Sequence, residues 1–236
     1  MNLATSAHTR TAFDADLQGL VRMAAEMGGL AERQILQSIE ALAQKNVDLA
    51  RQVIDDDAAL DAFQTKIEKK GIEIIAQHQP LAGDLRETVS ALHICSDLER
   101  IGDLAKNISK RTIAIENAIL PISLIVGIDH MAQMVMQQLK LALDSYASRN
   151  VSGARAVRDG DLEIDVLNNA LFHETLAHMS ADTDNMAVGT HMLFCIKNLE
   201  RIGDHATNIA EAVDYIVSGR LPAGERPKGN TANFAA

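Results

Sequence analysis

Within its 236 residues this chain repeats one phrase. Leu98-Glu99-Arg100-Ile101-Gly102-Asp103 returns letter for letter as Leu199-Glu200-Arg201-Ile202-Gly203-Asp204, an offset of 101 residues. Ala105, Asn107 and Ile108 return in the same register as Ala206, Asn208 and Ile209. A weaker echo lies upstream at an offset of 104, where Asn46, Val47, Ala50, Arg51, Val53, Asp55, Asp57 and Asp61 recur as Asn150, Val151, Ala154, Arg155, Val157, Asp159, Asp161 and Asp165. A duplication of this kind fixes the plan before any single element is read. The chain must fold as two similar units of about 100 residues, each just large enough to bury a core.

The units read as helical. Four prolines, no tryptophan and only 3% aromatic residues favour helix over sheet. Apolar residues recur at helical spacing from Phe13 to about Gln44, with a soft spot expected at Gly28-Gly29. Asn46 and Asp48 can cap a second helix that reaches about His78 and stops at Pro80, and a third runs from Leu81–Asp84 until Pro121 interrupts it. Three more follow, near 123–148, 151–178 and 184–217. The expectation is all-α: two tandem three-helix bundles, residues 13–120 and 121–218, with a disordered lead (1–12) and tail (219–236).

A net charge of -10 argues against nucleic acid as the partner, because phosphate contacts need clustered Lys and Arg. Cys95 and Cys195 miss the repeat register by one residue and are read as ordinary thiols, which fits a reducing compartment. Met1 to Arg10 lack the pattern of a secretory signal. The most apolar run, Ile119 to Ile128, is broken by Pro121 and falls short of the roughly 20 residues that span a bilayer, so membrane association would be peripheral.

Both echoes carry acid-x-x-x-acid: Asp57/Asp61 with Glu99/Asp103, and Asp161/Asp165 with Glu200/Asp204. If Pro80 is the turn between helices two and three, Asp61 is level with Glu99 and Asp57 with Asp103. A turn within Ser180–Asp184 does the same for Asp165 with Glu200 and Asp161 with Asp204. Residues four apart share a helix face, so each unit aims four carboxylates at one region. Like charges at that spacing repel, and something must offset them. Arg100 and Arg201 are candidates, each about 100° around the helix from the preceding Glu. A divalent or trivalent cation is the stronger one, because all-oxygen ligands suit hard metals such as Mg²⁺, Mn²⁺, Ca²⁺ or Fe³⁺.

Asn107 and Asn208 stand eight residues beyond each Glu as further ligands or supporting hydrogen-bonders, and His205, beside Asp204, is the candidate accessory ligand. Gly102 and Gly203, repeated in mid-helix, point to a close approach of another group to the backbone. Asp55 and Asp56 read as an exposed charge cluster. His93 and His191, without repeat equivalents, read as packed or surface residues, and Met131, Met134 and Met136 as packing.

The segments Leu98–Ile108 and Leu199–Ile209, with the level acidic pairs upstream, closely resemble the twin signature of the PhoU family, accessory regulators of bacterial phosphate-specific transport and phosphate signalling. Gln79-Pro80-Leu81-Ala82-x-Asp84-Leu85-Arg86 is similar to that family's segment between helices two and three. The resemblance implies two bundles in pseudo-twofold arrangement, and multinuclear iron, zinc or manganese clusters on the acid-x-x-x-acid faces. It further implies a cytoplasmic homodimer without catalytic activity. Its partners would be the transporter's ATPase subunit, PstB, and the phosphate-sensing kinase, PhoR, both restrained when phosphate is plentiful. One departure is visible: Asp84-Leu85-Arg86 corresponds to Asn185-Met186-Ala187 in the second unit, so the two units should present different corners.

Two other readings compete. A ferritin-like di-iron protein needs Glu-x-x-His on two helices, and no Glu here has His three residues later. A helical scaffold with merely solvated acids would bind no metal.

Overall fold

The structure, a computed structural model, describes residues 3–220, with side chains from Ala12 onward. Among the described residues all regular structure is helical: α1 (Leu3–Gln44), α2 (Val47–His78), α3 (Gly83–Ala114), α4 (Ile122–Ser148), α5 (Val151–Ala181) and α6 (Asn185–Ser218). The elements α1–α3 and α4–α6 form the two units. The start of α1 at Leu3 differs from the expected lead-in ending near Phe13: no proline or glycine stands between them, so nothing in the backbone stops the helix. Residues 221–236, most of the expected tail, lie outside the described residues.

The duplication extends to atomic detail at the first turn of each unit. Asn46 accepts a hydrogen bond from the Leu49 amide at 3.0 Å, and Asn150 accepts one from Gly153 at 3.1 Å. Each cap satisfies an amide that the helix itself leaves unpaired. The residue before each cap is basic and left-handed, Lys45 at φ 50° and Arg149 at φ 52°. At the other corner α2 ends on left-handed Gln79, and Pro80, which cannot donate an amide bond, starts the turn into α3.

Unlike two self-contained domains, the units share one core. Leu98, Ile101 and Ile108 of α3 and Leu199, Ile202 and Ile209 of α6 are all fully buried in a single apolar cluster that also takes in α1 and α4. The α3 and α6 helices pack against each other, as do α1 and α4. The expected soft spot in α1 is instead a contact: a Cβ added at Gly28 would lie 2.4 Å from Leu143 Cδ1 of α4, so glycine is what lets these helices approach.

Polar ties cross the same seam. Glu87, buried in α3, receives both its hydrogen bonds from Arg149, at 2.5 and 2.6 Å. The Arg86 guanidinium lies against Gly219 at the end of α6. The Asp84–Arg86 corner peculiar to the first unit thus joins the two bundles. A further tie belongs to the first unit alone: Asp16 of α1 accepts from Lys70 at 2.6 Å and lies 3.0 Å from His78 Nε2, both on α2. The residues at the repeat-equivalent positions are Leu120, Glu174 and Asp182, which cannot reproduce it. No helix among the described residues is long and apolar enough to cross a membrane.

Candidate metal centres

In the first unit the helices bring the predicted acids to one face. Asp57 of α2 is buried, Glu99 and Asp103 of α3 are half-buried, and Asp61 is exposed at the rim. Glu99 and Asp103, one helical turn apart, act on each other electrostatically. Burial and the charge of Asp103 hold the Glu99 carboxyl above the usual range, with a further push from Asp61. Burial pushes Asp103 up as well, but the hydrogen bond and charge of Lys106 outweigh it and leave Asp103 below its ordinary value.

Lys106 was not among the sequence candidates, and it dominates this face. Its ammonium donates to Asp103 Oδ1 at 2.7 Å and also bonds Asp57 Oδ2, joining α3 to α2. Burial works against the charge, but the two carboxylates hold its pKa above the usual lysine range. Arg100 curls back despite its angular offset, with Nε 3.5 Å from Glu99 Oε2 and Nη1 3.3 Å from Asp103 Oδ2. Gly102 lies beneath: a Cβ there would meet Leu60 Cδ1 at 2.2 Å, Gln34 Oε1 at 2.9 Å and Asp57 Oδ1 at 3.4 Å. The close approach expected of the repeated glycine is therefore real in this unit, and it is Leu60 and Gln34 that come close.

The second unit places Asp161 in the same buried position as Asp57, with Asp165, Glu200 and Asp204 half-buried beside it. Asp165 and Glu200 border a groove of about 420 Å³ between α5 and α6, floored by Phe172, Leu193, Phe194 and Ile196. Glu68 and His93 stand at the first-unit equivalents of Phe172 and Phe194, so this apolar floor belongs to the second unit. Lys197 pairs with Glu200 from an exposed position. The counterpart of Lys106 is Thr207, fully buried, whose Oγ1 has no hydrogen-bond partner. A Cβ at Gly203 would meet nothing closer than Ile164 Cδ1 at 3.3 Å, with Gln138 Oε1 at 3.5 Å.

Gln34 and Gln138 form a second repeated feature that the sequence reading missed. Both sit at the 104-residue offset on the first helix of their units, both are buried, and each leaves Oε1 without a hydrogen-bond partner. The signal was available: a polar residue recurring on an otherwise apolar helix face.

Two sequence candidates reach across to α3. His205 Nδ1 lies 2.8 Å from Asp97 Oδ1, and Asn208 donates to the same oxygen at 3.1 Å. Both therefore serve the seam between α3 and α6. His205 diverges by about 100° from its neighbour Asp204, whereas Asn208, four residues on, stays on the face of Asp204 and gives its amide to Asp97. Asn107 is half-buried on α3. Asp55 and Asp56 are exposed, Met131 is fully buried, and both cysteines are free and buried, their thiols pushed by burial up to about 12.

Among the described residues no three His, Cys, Asp or Glu side chains already stand at metal-ligand spacing. Buried oxygens without donors, as at Gln34 in the first unit and Gln138 and Thr207 in the second, are ones a bound cation or ordered water would satisfy. On the first face an ammonium also joins Asp57 and Asp103. Carboxylates of the kind that hard cations take stand on both faces.

The chain resembles known proteins along nearly its whole length. The PhoU domain model matches residues 24–112 and again 128–213. A phosphate-specific transport system accessory protein PhoU homolog of Rhizobium meliloti is 48% identical over 94% of both chains. A homolog of the same description from Caulobacter vibrioides is 41% identical over 94% of this chain and 96% of its own. The crystal structure of PhoU from Pseudomonas aeruginosa superposes with a TM-score of 0.84 at 32% identity, over 88% of this chain and 100% of that one.

Proposed function

The chain belongs to the PhoU family, whose members serve phosphate-specific transport as accessory proteins, and on that premise we propose that it restrains phosphate uptake and phosphate signalling by protein contact, without catalysis. In this reading a homodimer works on the cytoplasmic side of the membrane. It touches the ATPase subunit of the phosphate transporter, PstB, and the sensor kinase, PhoR, and reaches the membrane only through them. The acidic faces hold divalent or trivalent metal, with Fe, Zn, Mn or Mg as candidates, and Asp57, Asp61, Glu99 and Asp103, or Asp161, Asp165, Glu200 and Asp204, as the carboxylate set. Bound metal would supply the positive charge that lets four carboxylates converge and would fix the helices bearing them.

The observation that carries this reading is the pairing of a twice-matched family domain with acidic faces at equivalent places in both units. Deleting the gene and measuring alkaline phosphatase in phosphate-rich medium tests the regulatory part. Derepressed phosphatase is expected, and unchanged phosphatase would count against it. Elemental analysis of protein purified without chelator, beside the Glu99→Ala/Asp103→Ala and Glu200→Ala/Asp204→Ala variants, tests the metal part. Equal, near-zero metal in all three samples would sink it. The scaffold alternative draws support from Lys106, which neutralises one face with a side chain.

A further inference from the structure

A cavity of about 580 Å³ opens where α1 and α3 of the first unit meet the α4–α5 corner of the second. Arg22 lines it from α1, Tyr146 from α4 and Arg149 from the corner itself. We infer that this cavity binds a small phosphorylated molecule, its phosphate held by the Arg22 and Arg149 guanidinium groups and the Tyr146 hydroxyl. The inference goes beyond the accessory-protein reading and needs no metal on the acidic faces. It gives that regulator a ligand site at the seam between its units.

Tyr146 is 4% exposed, yet its hydroxyl has no hydrogen-bond partner. A buried phenol ordinarily has one, and an unmade bond of this kind costs stability. Burial and the charge of Glu87 raise its pKa, so the hydroxyl stays protonated and is able to donate to an acceptor oxygen. Arg149 uses Nη2 for the buried Glu87 and keeps Nε and Nη1 for another partner. Arg22 is exposed at the rim and makes no ion pair among the described residues. The guanidinium fork matches phosphate oxygens, and two forks with a phenol supply donors to a group that has three terminal oxygens. Leu17, Val21 and Ala147 add an apolar wall, and the volume is that of a small-molecule site, which bare phosphate would leave mostly empty. Two acids also line the cavity. Glu87 is already answered by Arg149, and Asp14, exposed at the mouth, accepts from hydroxyl or amino groups on the body of the ligand.

The duplication supplies an internal control. At the repeat-equivalent positions Arg22, Tyr146, Glu87 and Asp14 become Val126, Leu42, Val188 and Ala118. Arg149 becomes Lys45, whose ammonium goes to the Ala118 carbonyl at 3.1 Å. The copied corner thus holds together with apolar side chains, and the polar set around the cavity is no requirement of the fold. A molecule seated there touches α1 of one unit and the α4–α5 corner of the other at once, so its presence bears directly on how the two units meet.

The experiment uses the full chain, stripped with chelator, in calorimetric titrations with adenosine monophosphate, glucose 6-phosphate, inorganic phosphate and citrate. At least one of the two phosphate esters should bind, and more tightly than inorganic phosphate or citrate. Arg22→Ala should weaken that binding about 10-fold or more, and Tyr146→Phe, which removes only the hydroxyl, about 2- to 10-fold, as expected for a charged and a neutral hydrogen bond. Both variants leave the Glu87–Arg149 pair in place, and circular dichroism checks their helicity. Lys45→Ala, at the copied corner, should bind as wild type does. A second readout is thermal unfolding, where the bound ester should raise the Tm of wild type and of Lys45→Ala more than that of Arg22→Ala. Neither heat nor stabilisation from either ester at millimolar concentration would overturn the inference. So would affinity unchanged in both cavity variants, or tighter binding of inorganic phosphate or citrate than of either ester. The regulatory role is read separately, from phosphatase in cells, and stands if this site fails.

Discussion

The two units use one sequence plan and solve the same electrostatic problem differently. Each aims four carboxylates at one region, but the first sets Lys106 and Arg100 among them and holds the proton affinity of Glu99 up, whereas the second has Thr207 at the place of the lysine and pairs Glu200 with an exposed Lys197. The first is stapled further by Asp16 with Lys70 and His78, and the second carries an apolar groove instead. Duplication copies a scaffold, and single substitutions then make its copies differ: a lysine joins two helices of the first unit, and the same place in the second holds a neutral threonine.

Changes in unfolding free energy of chelator-treated protein, measured by urea titration, can break this comparison. The largest effect is expected at the lysine's partner. Asp57→Asn leaves a part-buried ammonium without half its counter-charge and should cost about 3 kcal/mol. The double variant Asp57→Asn/Lys106→Met should recover much of that. A cost within experimental error for Asp57→Asn would show that Lys106 is no structural cation.

Next comes the glycine pair. Gly102→Ala forces its Cβ onto Leu60 and Gln34 and should cost about 1–2 kcal/mol after the gain in helix propensity. Gly203→Ala, with more room, should be near neutral. Equal losses at the two positions would mean that the faces pack alike after all.

Where letters and geometry coincide, effects should coincide too. Asn46→Ala and Asn150→Ala each remove a helix cap with the same geometry and should cost about 1 kcal/mol apiece. A large difference between them would place the asymmetry in the scaffold rather than in the acidic faces.

The smallest effect is a pH dependence confined to the first unit. Hydrogen bonds from Lys70 and His78 hold the Asp16 carboxyl below its ordinary value. A carboxyl lowered by folding contributes stability above its unfolded pKa and loses it as pH falls through the folded one. Wild type should therefore exceed Asp16→Asn at pH 6, with the gap closing as the pH falls through and below the ordinary aspartate range. A gap unchanged down to pH 2 would remove Asp16 as the cause.

Helix positions were legible because apolar spacing, Asn46, Pro80 and Pro121 are local signals, and the start of α1 was missed because the stretch before Phe13 carries no such signal. The levels of the four acids followed from counting outward from each turn, and on the first face the structure bears that counting out in the Asp57–Lys106–Asp103 bridge. Lys106 escaped notice for a definite reason: comparing repeats highlights shared letters, and the decisive residue is one that the copies do not share. His205 was chosen for standing beside Asp204 along the chain, whereas on a helix the direction of a side chain is set by its angle, and Asn208, chosen eight residues beyond Glu200, gives its amide to Asp97 as well.

The single apolar cluster running through α3 and α6 bears on how such a gene can be handled. A cut between α3 and α4 would not release two small soluble proteins, even though the repeat invites it. Each half would carry away an oily helix face that had never met water, and the halves would cling to one another, or to themselves, until the seam was remade.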